Sequence, residues 1–311
     1  MGVAWLFPGQ GAQSVGMGKA LCDAFPAARE VFQRADEALG WSLTRLCFEG
    51  PESDLTLTAN TQPAILTTSI ATLAAITTIW PDIPMPSCAA GHSLGEYSAL
   101  VAAGALAFDD AVRLVHLRGK AMQQAVPEGQ GSMAALMGGD AQAVETICRE
   151  ANAVGVVAPA NYNAPGQVVI SGEAAAVVRA TELAAERKLK AIVLKVSAPF
   201  HCELMLPAAR AVEEALREVR VQAPRFPVLS NVDAQPNGLA ERVAPLLVEQ
   251  VCSPVLWEQS VRFMAQSHVD RALEIGPGRV LAGLVKRTEG RIRVLSVSDP
   301  TGVQQVRSVL E

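Results

Sequence analysis

The chain has 311 residues, of which 50% are hydrophobic and 18% charged, with 24 glycines and 19 prolines. That composition excludes a disordered chain, which lacks apolar material, and a coiled coil, which needs far more charge. The 26 basic and 31 acidic residues leave a formal net charge of −5 with no like-charge run, which argues against a dedicated nucleic-acid binder.

The N-terminal MGVAWLFPGQGAQ lacks the cationic start of a secretory signal, and Pro8-Gly9 interrupts its apolar run. Val3–Phe7 reads as a buried strand feeding a loop. Helical patterns follow over 17–39 and 61–80. The longest apolar stretch, Ala64–Trp80, carries six Ser or Thr in 17 residues, too short and polar for a membrane span. Leu66, Ile70, Leu73 and Trp80 share one helical face, so a buried helix is expected. Small residues at 87–90 form a strand that turns sharply into the alanine-rich GHSLGEYSALVAAGAL. Asp109-Asp110 opens another helix through Gln124, with its acids at the positive end of the dipole.

The middle of the chain changes texture. Strands at Ser132–Met137, Gly155–Ala160, Gln167–Ser171 and Lys190–Val196 alternate with helices at Ala141–Glu150 and Glu173–Arg187. That βαββαβ order is the ferredoxin-like split unit. A small domain of 127–197 is therefore expected within a large α/β domain built from 1–126 and 198–311, whose mainly parallel sheet is covered by helices. Arg271–Ile275 supplies a further strand ahead of Gly276-Pro277-Gly278. Cys22, Cys47, Cys88, Cys148, Cys202 and Cys252 show no C-x-x-C pair and no metal-ligand spacing, so reduced thiols in a cytoplasmic protein and no metal site are expected.

Gly91-His92-Ser93-Leu94-Gly95 fits G-x-S-x-G, in which a strained strand-to-helix turn exposes a serine hydroxyl and the glycines let neighbouring backbone pass. The bland alternative is a tight glycine-rich turn. Among the four histidines, His92 adjoins Ser93 but points away at such a turn, His116 lies within a helix, and His268 sits in a polar stretch. His201 follows Ala198-Pro199-Phe200 in a break after a strand, where α/β sheets place catalytic groups. From position alone it is either the base or a packed core histidine. Cys202 is a rival thiol, although free cysteines are usually small buried hydrophobes. Arg118 on the helix after the elbow is either an exposed cation or a fork for a substrate carboxylate, a geometry lysine cannot match. Gly9-Gln10-Gly11 is no dinucleotide loop, because Ser14 stands at the third glycine position and Pro8 intrudes.

Taken together, FPGQGAQSVGMG, TANTQPAI, GHSLGEYSALVAAGAL, VRLVHLRGKAMQ, NYNAPGQVVISG, SAPFHCELM, SNVDAQP, LVEQVCSPVLW and EIGPGRVLAGL run in order over nearly the whole chain. On these motifs the chain resembles the malonyl-CoA:acyl carrier protein transacylases of bacterial fatty acid synthesis. The resemblance implies a hydrolase-like α/β domain with a ferredoxin-like insertion and an active site between them. It implies Ser93 as nucleophile, His201 as base, and a backbone carbonyl of Gln250 that orients the histidine. Arg118 would pair with the malonyl carboxylate, and the N–H groups of Gln10 and Leu94 would form the oxyanion hole. Asn161 and Gln167 would line the cleft. Ala12 departs from the serine common in relatives, in a loop that contributes through its backbone.

The reaction so implied takes malonyl from malonyl-CoA to the phosphopantetheine thiol of acyl carrier protein, in a monomer, with no cofactor, membrane or nucleic acid involved. Basic clusters at Arg187-Lys188 with Lys190, and at Lys286-Arg287, are candidate docking points for an acidic carrier. A serine esterase or thioesterase, passing the acyl group to water, and a non-catalytic carrier-docking module are the competing readings.

Overall fold

The apolar run ahead of Pro8 folds as β1 (Gly2–Phe7), whose last four residues are fully buried in the computed structural model, which describes residues 2–310 apart from 195 and 197. Five helices follow: α1 (Lys19–Ala24), α2 (Pro26–Leu39), α3 (Leu43–Glu49), α4 (Glu52–Leu55) and α5 (Thr58–Ile79). The single helix expected over 17–39 is thus divided. Pro26 opens α2 and drives Phe25 before it into extended backbone, φ −129° and ψ 114°. Helix α5 is long and apolar enough to cross a membrane, yet 67% of its most apolar window is buried inside the protein. Thr68 and Thr72 return their hydroxyls to carbonyls one turn back, each at 2.8 Å. It is a core helix as expected, but of the face Leu66, Ile70, Leu73 and Trp80 only Leu66 is fully buried, and Ala64, Ile65, Thr68, Thr72, Ala75 and Ile76 are buried instead.

Next come β2 (Cys88–Gly91), α6 (Leu94–Ala102) and α7 (Phe108–Gln124). The middle segment holds β3 (Gly131–Met137), α8 (Ala141–Ala151), β4 (Val157–Ala164), β5 (Gln167–Glu173), α9 (Ala174–Glu186) and β6 (Lys190–Val193). Of the strand expected over 190–196, Lys195 lies outside the described residues, as do the expected domain boundary at 197 and both chain ends, 1 and 311. The C-terminal part contains α10 (Leu206–Leu216), β7 (Val228–Leu229), β8 (Pro236–Asn237), α11 (Ala240–Cys252), α12 (Trp257–Gln266), β9 (Val269–Ile275), α13 (Val280–Thr288), β10 (Arg293–Val297) and α14 (Pro300–Leu310).

The larger sheet has the order β10-β9-β1-β2-β7-β8 and is parallel except for the β7–β8 edge pair. Side chains of β1 alternate between its two faces, as strand geometry requires. Trp5 and Phe7 enter the core built with α2, α5, α6 and α7, whereas Ala4 and Leu6 meet Trp257, Val261, Leu281 and Leu284 from α12 and α13. Burial on both faces is the hallmark of a helix-covered parallel sheet.

The smaller sheet runs β4-β5-β3-β6 and is antiparallel throughout. Ala134, Leu136, Val168 and Ile170 pack under α8 and α9 through Val144, Ile147, Val177 and Leu183. Its opposite face, with Met133, Ala135 and Val169, joins the large core together with Ala198 and Phe200. That shared face brings the small sheet against the end of the strand that leads into Ser93.

Candidate active site

Ser93 joins β2 to α6 with φ 51° and ψ −106°, a conformation that costs an L-residue energy and persists only where packing enforces it. The flanking glycines supply that packing. A Cβ on Gly91 would sit 1.9 Å from the carbonyl of Gly95, and one on Gly95 would sit 2.0 Å from the Phe7 carbonyl oxygen. Both obstacles are backbone, so neither can swing aside. Gly95→Ala is accordingly expected to cost about 3 kcal/mol or more by denaturant unfolding; a loss under about 1 kcal/mol would contradict this close packing.

Ser93 Oγ lies 2.7 Å from His201 Nε2. On the far side of the ring, Nδ1 faces the carbonyl oxygens of Gln250 at 2.9 Å and Ser253 at 3.2 Å. Carbonyls only accept, so Nδ1 carries the proton and Nε2 is left to accept from the serine. Burial, followed by the nearby Arg118 charge, pushes the His201 pKa down to about 3. The imidazole is thus neutral at physiological pH, with Nε2 unprotonated and free to accept the serine proton. Its ring resonances should show no titration between pH 8 and pH 5 by NMR; an inflection near the ordinary histidine value of about 6.5 would contradict the assignment.

Arg118 is only 1% exposed. Gly119 allows this, because a Cβ there would lie 2.5 Å from the Thr58 carbonyl oxygen, and its absence lets α7 press onto the start of α5. The guanidinium donates from Nη1 to Gln62 Oε1 at 2.8 Å, and from Nη2 to Gln250 Oε1 at 2.8 Å and Ser93 Oγ at 3.1 Å. It also stands over the Tyr97 ring, 5.3 Å from the centroid. These partners are amides, a hydroxyl and an aromatic face, with no carboxylate among them. A buried cation held this way is poised to receive an anion beside the serine, since desolvation already disfavours its charge.

The remaining expected residues divide. Gln10 abuts the elbow, where a Cβ on Gly9 would meet the His92 carbonyl oxygen at 2.3 Å, and its side chain donates to Thr58 Oγ1 at 3.3 Å. Leu94 is the first residue of α6, so its N–H has no acceptor within the helix. Asn161 is buried in β4, where it bridges Val255. Gln10, Gln62, Ser93, Leu94, Arg118, Asn161 and His201 all line one cleft of about 130 Å³, with Met122, Met133, Leu194 and Phe200 forming apolar walls. Gln167 stands elsewhere. The β4–β5 hairpin carries it to the turn end, opposite Ala164, where its side chain accepts from Arg287 Nη1 on α13.

Other residues complete the site without having drawn notice in the sequence. Asn231 accepts from the Ser93 N–H at 2.7 Å and donates to the Gly91 carbonyl at 2.7 Å, pinning the elbow from a loop more than a hundred residues away. Glu96 accepts from Gln250 Nε2 at 2.7 Å and from the Asn231 N–H at 3.1 Å. His92 turns away from Ser93 and bonds Asn163 Oδ1 at 2.8 Å. His116 bonds the Ala59 carbonyl. Cys202 is buried, with its thiol toward the Pro199 carbonyl at 3.1 Å and Ser171 at 3.7 Å.

Comparison with known proteins adds four similarities to this geometry. The acyl transferase domain family matches residues 4–301. The malonyl CoA-acyl carrier protein transacylase of Bacillus subtilis (strain 168) is 48% identical over 306 residues, 97% of this chain and 95% of that protein. An acyl-carrier-protein S-malonyltransferase from Bartonella henselae has a TM-score of 0.97 at 44% identity, covering 100% of this chain and 99% of its own. A malonyl-transacylase solved in complex with its type II PKS acyl-carrier protein has a TM-score of 0.93 at 44% identity, covering 98% of each chain.

Proposed function

The chain belongs to the acyl transferase domain family, and from that premise we propose that it moves malonyl from malonyl-CoA to the phosphopantetheine thiol of acyl carrier protein through a malonyl-serine ester. One observation carries the reading. Ser93 Oγ is within hydrogen-bond reach of a neutral base, His201 Nε2 at 2.7 Å, and of a buried guanidinium, Arg118 Nη2 at 3.1 Å. A nucleophile and a group able to read a carboxylate therefore meet at one atom.

His201 Nε2 takes the Ser93 proton as Oγ bonds to the thioester carbonyl carbon. The carbonyl oxygen becomes an oxyanion beside the N–H groups of Gln10 and Leu94, where a single donor is worth about 10²–10³ in rate. Collapse breaks the carbon–sulfur bond, and the CoA thiolate leaves with the proton from His201. The carrier thiol then attacks the ester by the same steps in reverse, and Ser93 recovers its proton. The Gln250 and Ser253 carbonyls stabilise the transient imidazolium in place of a carboxylate. One thioester replaces another, so the chemistry calls for no metal or redox cofactor.

The reading includes two domains, 127–197 against the rest, whose facing surfaces form the cleft. It also includes a monomer in a reducing cytoplasm, a setting that suits six free thiols. For carrier docking, Arg187 is already bound to Glu150 and Arg287 to Gln167, which leaves Lys188, Lys190 and Lys286 as the charges of the two basic clusters without an ion pair among the described residues. CoA release from malonyl-CoA tests the function. It should stop after a burst in the absence of holo carrier protein and turn over when the carrier is added. Sustained release into water would make the chain a thioesterase, and no release in either case would leave a docking module.

A further inference from the structure

A buried acid behind the serine has no part in the acyl-transfer steps. Glu96 stands in the first turn of α6 and is 3% exposed. Its Oε2 receives both Gln250 Nε2 and the Asn231 N–H. The Gln250 side chain, for its part, has one accepting end and one donating end, and its neighbours decide which way it faces. Nε2 lies toward two acceptors, Glu96 Oε2 at 2.7 Å and the Ser93 carbonyl at 3.0 Å. Oε1 is thereby turned to Arg118 Nη2. The reverse orientation would aim an NH₂ at a guanidinium and an oxygen at a carboxyl oxygen, two repulsive contacts in a dry site.

We propose that Glu96 is a positioning residue for selection of the acyl group: by fixing the Gln250 amide it keeps the Arg118 guanidinium aimed at the space beside Ser93 Oγ, and so favours thioesters bearing a carboxylate over neutral ones. This rests on the reading of Arg118 given above. Two acceptors, Gln62 Oε1 and Gln250 Oε1, hold the guanidinium from different helices. Loss of the second leaves Nη2 only its longer bond to Ser93 Oγ, the atom that acylation consumes, so the fork can turn off the acyl position while Nη1 stays tethered. Burial pushes the Glu96 carboxyl up to about 7, against the hydrogen bonds from Gln250 and Asn231. The acid's service to Gln250 is therefore as an acceptor, which a neutral amide reproduces.

The test compares kcat/KM for Ser93 acylation by malonyl-CoA and acetyl-CoA in the wild-type chain and in E96Q, E96M, R118A and E96M/R118A. Methionine keeps the volume of Glu96 and removes the acceptor, stranding two buried donors. E96M should lower the malonyl value about tenfold or more and the acetyl value no more than about threefold. E96Q should keep the wild-type ratio within about threefold. In the R118A background, E96M should leave the ratio unchanged, because both act through one guanidinium. Equal losses for both thioesters, or an E96Q as impaired as E96M, would overturn the proposal. A shifted R118A ratio with an unshifted E96M ratio removes Glu96 alone, whereas an unshifted R118A ratio removes the Arg118 reading and this one with it. If E96M is too unstable to purify, Q250M cuts the same relay from its other end while keeping the backbone carbonyl for His201. An unchanged ratio there likewise overturns the proposal.

Discussion

Ser93→Ala is expected to abolish the acyl adduct and to lower transfer by on the order of 10⁴-fold or more. The size follows from the mechanism: the serine oxygen is the atom that becomes covalently attached, and no other hydroxyl or thiol among the described residues lines the cleft. The His201 ring, its Nε2 2.7 Å from Ser93 Oγ, would lose its hydrogen-bond donor and face the alanine methyl across the gap left by the hydroxyl. Cys202, the one thiol next to the base in sequence, is no substitute. It is buried with its sulfur toward the Pro199 carbonyl, and burial raises its pKa, so the reactive thiolate is scarce. Intact-mass measurement after mixing with malonyl-CoA should show one added malonyl in the wild-type chain and in Cys202→Ala, and none in Ser93→Ala. An adduct surviving in Ser93→Ala would remove the serine from the mechanism.

Arg118→Ala is expected to depress malonyl transfer by roughly a hundredfold to several thousandfold while leaving acetyl transfer equal or improved. Pairing with the malonyl carboxylate would satisfy a cation that now has only uncharged hydrogen-bond partners, in a setting where water does not screen it. Removing one member of such a buried pair costs about 3–5 kcal/mol, which is that range in rate. Acetyl offers the guanidinium no carboxylate, so its transfer loses no ion pair when the side chain is removed. The ratio of kcat/KM for the two thioesters, with thermal melting as a check on folding, decides the matter. An unchanged ratio in a folded Arg118→Ala would place selectivity elsewhere in the cleft, with Phe200 beside His201 the first residue to replace.

Much of this site is legible in the residues because its constraints are local. The spacing of Gly91 and Gly95 around Ser93 reflects contacts of 1.9 Å and 2.0 Å that any Cβ would make, and these depend on backbone within a few residues and on β1 alongside. The βαββαβ segment is equally local, each element announcing its own period. What the sequence conceals is long-range. His201 in isolation is as compatible with a packed core as with catalysis, and only the fold brings its ring to Ser93. Glu96 reads as an ordinary helical acid, since its burial is decided by Asn231 and Gln250, 135 and 154 residues further along the chain. Gln62 is hidden in the same way inside a helix of apolar character. The two-residue strands β7 and β8 are too short to carry a period. Gln167 shows the opposite failure: it belongs to a recognisable segment, yet the hairpin turn directs it to Arg287 rather than to the cleft.

The most direct measurement follows the acyl group itself. The chain is loaded with malonyl-CoA, freed of CoA by rapid desalting, and mixed either with holo carrier protein or with the same carrier lacking its phosphopantetheine. Mass spectrometry of both proteins should show malonyl leaving Ser93 and appearing on the holo carrier, while the adduct persists beside the apo carrier. Malonyl lost to water at the same rate in both mixtures, or retained on the chain in the presence of the holo carrier, would contradict transfer through a serine ester.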